Sequence, residues 1–151
     1  MLNDKIINKE PGIVLYGMTP PKENSDITSV KQIASKHLER IKSLDIDGVV
    51  LYDIQDESVR NNEERPFPFL PTFEPQKYSG DFLLGLDLPK VLFQVVGKHS
   101  KESLNKWMHN NLNNGDLGVF IGNSSSSQTT QITLDKAYNL RKEVAAQMLV
   151  G

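Results

Sequence analysis

The sequence predicts an α/β protein of the (β/α)8-barrel type with four strand-helix units present, which is half of such a barrel. Two observations predict it. Four times in succession a short apolar run passes through a polar loop into a segment of helical periodicity, an order that implies parallel strands joined by crossover helices. No G-x-G-x-x-G and no Gly-rich loop ending in Lys-Ser/Thr follows any of the runs, which removes the dinucleotide-binding and P-loop versions of an open sheet. The 151 residues, 38% hydrophobic and 24% charged, suffice for one domain with one core, taken as residues 1–151. Half a barrel leaves unpaired strand edges, so the expected partner is a second copy or a second half barrel.

The first strand is read at Gly12-Ile13-Val14-Leu15-Tyr16, a continuous apolar run of the kind buried in parallel sheets. A helix follows from Thr28 to Leu44, with Val30, Ile33, Ala34, Leu38, Ile41 and Leu44 on one face and Thr28 or Ser29 as N-cap. Gly48 to Tyr52 is the second strand. It leads into Asp53-Ile54-Gln55-Asp56-Glu57 and a long loop in which Pro66, Pro68, Pro71 and Pro75 alternate with Phe67, Phe69 and Phe73. The fixed φ angles and missing N–H groups there exclude helix and central strand. A weak helix is expected from Tyr78 to Leu88, interrupted by Gly80 and Gly85, and Val91 to Val96 is the third strand. Ser100 caps a third helix carrying Leu104, Trp107, Met108 and Leu112, and Asn113-Asn114-Gly115-Asp116 ends it. Gly118 to Ile121 is the fourth strand, and a fourth helix runs from about Thr133 through Leu134, Ala137, Tyr138, Leu140, Val144 and Ala145.

Composition narrows the function classes. Lys and Arg number 17 against 19 Asp and Glu, a formal net charge of −2, so no whole-chain field draws in nucleic acid or an anionic membrane. Cysteine is absent, which excludes disulfides, thiolate metal sites and Cys nucleophiles and fits a reducing compartment. No apolar run approaches the ~20 residues of a membrane span, and the polar opening from Met1 to Glu10 lacks a signal-peptide core. A cytoplasmic protein is expected.

Ligands of barrels and open α/β sheets collect at the carboxyl ends of the strands, which here means Gly17 to Lys22, Asp53 to Glu57, Gly97 to His99 and Gly122 to Ser127. Asp53, Asp56 and Glu57 have the chemistry of a general acid or a hard-metal site, although a solvated loop carboxylate is the commoner outcome for any one of them. Gly122, Asn123 and the serines after them offer small side chains and backbone donors to a phosphate or ribityl chain; a low-complexity tip is the equal alternative. Of His37, His99 and His109, only His99 stands at this end, and the three share no metal-ligand spacing. The Phe67, Phe69, Phe73 loop has either a packing role, the commoner one for buried aromatics, or a stacking role over a planar ligand such as flavin or pterin.

Leu15-Tyr16-Gly17-Met18-Thr19-Pro20-Pro21-Lys22 resembles the first strand and Pro-Pro-Lys ending of methylenetetrahydrofolate reductases, flavin-dependent (β/α)8 barrels of one-carbon metabolism and methionine biosynthesis. The resemblance spans the amino-terminal half of that barrel. It implies a flavin and folate oxidoreductase with FAD as cofactor, NAD(P)H as co-substrate and a folate-type substrate. Gln94, Ile121, Gly122, Asn123 and Ala137 then fall at flavin-contacting positions. The sequence departs from the family at three of its functional positions. Gly17 stands where the family has the Glu that activates the folate, Asn123 where it has the Asp beside the flavin, and Ile121 where it has Arg. Asp53, Asp56 or Glu57 are the nearby candidates to replace the missing acid. The alternative is a non-enzymatic half barrel that binds a ligand and either homodimerises or docks onto a partner; an open α/β binding module is a third reading.

Overall fold

The structure is a computed structural model that describes residues 1–55, 70–123 and 129–151. In chain order its elements are α1 (Leu2–Ile7), β1 (Leu15–Met18), α2 (Ile27–Lys42), β2 (Gly48–Leu51), α3 (Pro75–Phe82), β3 (Lys90–Val95), a 3-10 turn (Val96–Lys98), α4 (Lys101–Asn114), β4 (Leu117–Ile121) and α5 (Leu134–Val144). The strands form one parallel sheet in the order β1-β2-β3-β4. Met18 stands beside Leu51, Leu51 beside Leu92, and Val95 beside Ile121. The predicted α/β class and parallel pairing hold, with strand bounds shifted by at most three residues.

The helix starts follow cap chemistry. Asp26, not Thr28 or Ser29, caps α2: its carboxylate accepts from the Ser29 N–H at 2.9 Å and from the Ser29 hydroxyl at 2.6 Å. α3 begins three residues before the predicted Tyr78, because Pro75 occupies the first helical position, where its missing N–H costs nothing. The Glu74 carboxylate accepts from the Gln76 and Lys77 N–H groups there, and the helix ends at Phe82. Ser100 caps α4 as read from the sequence, Thr133, read as the approximate start of the last helix, caps α5, and Gly115 takes the left-handed φ of 71° that closes α4. The short α1 lies in the segment read only as a polar opening.

One apolar cluster holds the layers together. Met18, Val49, Leu51, Leu92 and Phe120 from the sheet pack with Val30, Ala34 and Ile41 of α2, Tyr78 of α3, Trp107 and Met108 of α4, and Ala137 and Leu140 of α5. All the crossover helices therefore cover one face of the sheet. Phe73 takes the packing role, its ring 6.5 Å from Tyr78 and 6.1 Å from Phe82, whereas Phe67 and Phe69 lie outside the described residues. Strand alternation turns Leu15, Gly17, Val50, Tyr52, Phe93, Val119 and Ile121 to the opposite face, and none of these joins the cluster.

Two further contacts extend the sheet. Leu149 to Gly151 runs beside β4 in parallel, with the Gly118 N–H on the Leu149 carbonyl at 3.0 Å and the Phe120 N–H on the Gly151 carbonyl at 3.1 Å. At the amino ends of the strands Leu2 of α1 is buried against Gly48, where a Cβ would lie 3.0 Å from the Leu2 side chain. Lys5 pairs with Asp47, whose other oxygen accepts from the Val14 N–H at 2.9 Å. Among the described residues no helix is long and apolar enough to cross a membrane.

Leu51 is fully buried at the centre of the cluster. Leu51→Ala is expected to lower the unfolding free energy by about 3 kcal/mol in urea titrations, because the removed methyls leave a cavity the flanking strands cannot fill.

Candidate functional site

The carboxyl ends of β2 and β3 meet on Asp53. One carboxylate oxygen accepts from the Val95 backbone N–H at 2.8 Å and from the Gln94 side-chain amide at 3.3 Å. The Lys98 ammonium bonds the other oxygen at 2.9 Å and lies 2.8 Å from the first. Gln55 adds a longer bond of 3.3 Å. The Asp53 side chain is fully enclosed, while Lys98 keeps about a third of its surface in solvent (34%). A carboxylate so surrounded is a strut between strand ends: apart from Gln55, its donors belong to β3 and the turn after it.

A second lock joins β3 to β4. A Cβ on Gly97 would lie 2.2 Å from the Asn123 side-chain oxygen, so the amide is seated directly on the glycine backbone. Asn123 also donates to the Thr130 hydroxyl at 2.6 Å, and the Gln131 N–H bonds the Gly97 carbonyl at 2.8 Å. Beside this lock, His99 shares a hydrogen bond of 3.0 Å with the Ser103 hydroxyl, and its Nε2 is buried with no hydrogen-bond partner. Burial first, and the nearby Lys98 charge second, push the His99 pKa below its ordinary 6.5, with Asp53 acting in the opposite sense. His37, on α2, is likewise lowered by burial and by Arg40.

On the open face at the same end, the Tyr52 ring stands 5.0 Å from the Phe93 ring at 60°. The phenol end of Tyr52 reaches over β1: a Cβ on Gly17 would lie 3.0 Å from the hydroxyl oxygen and 3.1 Å from Cε2.

The predicted residues divide by position. Asp53 is at the strand end, and Asp56 and Glu57 lie outside the described residues, as do the serines from Ser124 to Ser127. Ile121 and Asn123 are half-buried and Gly122 is exposed at the end of β4. Gln94 and Ala137 have no exposed surface; Gln94 lies on the helix-covered side with Asp53, and Ala137 is part of the apolar cluster. Sequence reading overlooked Tyr52 and Gln131, and it included Lys98 in the Gly97 to His99 segment without giving it a role. Lys98 closes the 3-10 turn after β3, and its partner is 45 residues away. Tyr52 had a readable signal, an aromatic side chain one residue past a strand on the face opposite the core. Among the described residues no group of three or more His, Asp or Glu is placed to hold a metal ion.

Comparison with solved structures finds a 35% identical chain that superposes with a TM-score of 0.80, an uncharacterized protein from Clostridium thermocellum that binds two copies of 5-methyl-5,6,7,8-tetrahydrofolic acid. The match covers 100% of the present chain and 47% of the other, so the chain spans about half the length of that relative. No family model and no curated protein matches the chain.

Two predictions follow from the geometry. Asp53→Ala strands the Val95 N–H, the Gln94 amide and the Lys98 charge together and is expected to cost about 3 kcal/mol of stability. Lys98→Met, at a partly exposed position, should cost about 1 kcal/mol, and urea titration of both variants checks the order. For pH, the lowered His99 and His37 values mean that the unfolded chain takes up protons first as pH falls. Their stabilisation is complete above the ordinary value and is lost as pH drops through the folded-state values. The urea midpoint should thus fall between about pH 7.5 and about pH 5.5, and a His37→Gln, His99→Gln double variant should show a smaller fall.

Proposed function

We propose that this chain binds a reduced folate at the carboxyl ends of β1 to β4, as the amino-terminal half of a (β/α)8-type barrel. The observation that carries the reading is the likeness of the whole chain, at 35% identity, to a protein that binds 5-methyltetrahydrofolate. The sheet supports it. Strand order without reversal, helices on one face only and a further parallel segment beside β4 are what a barrel wall requires, whereas a doubly wound sheet reverses its order and carries helices on both faces. The open face would be covered by a second half barrel or a second copy.

The site chemistry favours binding over reduction. The flavin and NAD(P)H reading rests on the methylenetetrahydrofolate reductase resemblance, in which FAD supplies the hydride relay. Ile121, Gly122 and Asn123 present surface where that cofactor would lie, but Gln94 and Ala137 present none. Position 17 carries no acid, and the space above it is filled by Tyr52. Asp53 is enclosed and bound on both oxygens. The described residues can hold a planar polar ligand between an aromatic pair and fixed polar strand ends, and this requires no proton transfer.

Isothermal titration with 5-methyltetrahydrofolate is expected to give saturable binding to the purified protein, and absence of heat at high ligand concentration overturns the folate reading. An absorbance spectrum after incubation with FAD and gel filtration decides the finer point. A retained flavin band supports the reductase, and a featureless spectrum leaves the binding protein.

A further inference from the structure

We propose that Tyr52, braced by Phe93 and admitted by Gly17, is the platform on which the ligand's pterin ring stacks; the proposal rests on the folate reading above. Three observations single this residue out. Tyr52 remains 39% exposed, although the large aromatic residues Tyr78, Trp107 and Phe120 are at most 5% exposed in the apolar cluster. It belongs to the face that no helix among the described residues covers, and its ring touches Phe93 of the neighbouring strand rather than the core. Its backbone is fixed, since the Tyr52 N–H continues the ladder onto the Met18 carbonyl at 3.1 Å.

Gly17 supplies a fourth observation. Glycine is demanded by backbone conformation where φ is positive, and Gly17 is not among the positive-φ glycines, which are Gly12 and Gly115. Its lack of a side chain instead makes room for the phenol ring, which any Cβ would meet at 3.0 to 3.1 Å. The ring therefore lies across the ends of β1 and β2 at the mouth, held at its edge by Phe93. A π-face in that place gives a flat heteroaromatic ring a large contact area at small entropic cost, because two torsions are already fixed by neighbours. The hydroxyl adds one donor or acceptor at the rim.

The test measures affinities of wild type, Tyr52→Phe and Tyr52→Leu by titration calorimetry with three probes. These are 5-methyltetrahydrofolate, 6-methyltetrahydropterin, which is the ring without the tail, and p-aminobenzoyl-L-glutamate, which is the tail without the ring. The expected result is that Tyr52→Phe binds the first two within about twofold of wild type, whereas Tyr52→Leu binds both about tenfold more weakly. Affinity for the tail alone should not move. Equal affinities for wild type and Tyr52→Leu overturn the platform while leaving the folate site standing, and loss confined to the tail probe overturns the ring assignment. Failure of wild type to bind any probe overturns the folate reading itself. Should Tyr52→Leu melt below the assay temperature, Tyr52→Trp, which keeps a π-face, must retain ring binding; its loss counts against the proposal.

Discussion

Parallel pairing of four consecutive strands forces every connection to cross back over the sheet, and here each crossing falls on the same side. The right-handed crossover does this whenever strand order runs without reversal, so β1-β2-β3-β4 places α2, α3, α4 and α5 in one layer. The consequence is an asymmetric sheet. One face buries Leu51, Leu92 and Phe120 in a closed cluster, while the other keeps Tyr52 and Leu15 more than a third exposed. The candidate site lies where that open face meets the carboxyl ends, where side chains of the described strands stand clear of the core.

The mouth is stiffened by polar locks rather than by apolar packing. Asp53 ties β2 to β3 through the Val95 N–H and Lys98, and Asn123 on Gly97 ties β3 to β4. Burying a carboxylate is costly unless each lone pair finds a donor, and here the donors come from a backbone amide, two side-chain amides and an ammonium. Such a network adds little net stability but admits only one arrangement of the strand ends. The amino end is closed differently, by the small helix α1 with Leu2 over Gly48 and Lys5 on Asp47. Rigidity at the carboxyl end suits a site that is formed before its ligand arrives.

How much of this was legible depended on whether the signal was local. Apolar runs announced all four strands, and Ser100, Thr133 and Gly115 announced helix ends, because caps act within three or four residues. Asp26 escaped notice because its helix opens with an exposed Ile27 and the polar Thr28 and Ser29 before the first buried residue, Val30, so the buried apolar pattern starts late. α1 had too few residues for a period to show. At the site, Asp53 was legible as a strand-end carboxylate, but its conversion into a strut needs Lys98 and Val95, more than forty residues on, and no local pattern reports that. Gln94, taken from the family resemblance, was testable by alternation alone: it shares a face with Leu92 and Val96, both core residues.

The exchange at position 17 ties the fold to the chemistry. A Cβ there would meet the Tyr52 phenol at 3.0 to 3.1 Å, so an acid on β1 would require that ring to shift. Set against the reductase pattern of the proposed reading, the floor of the mouth is an aromatic face in place of a charged group. A carboxylate in a mouth of low polarity favours transfer of a proton to a bound ring, whereas a phenol edge and π-face favour holding the ring where it is. Within the proposed reading, Gly17 and Tyr52 are then one change seen from two strands, and its direction is from turnover toward binding.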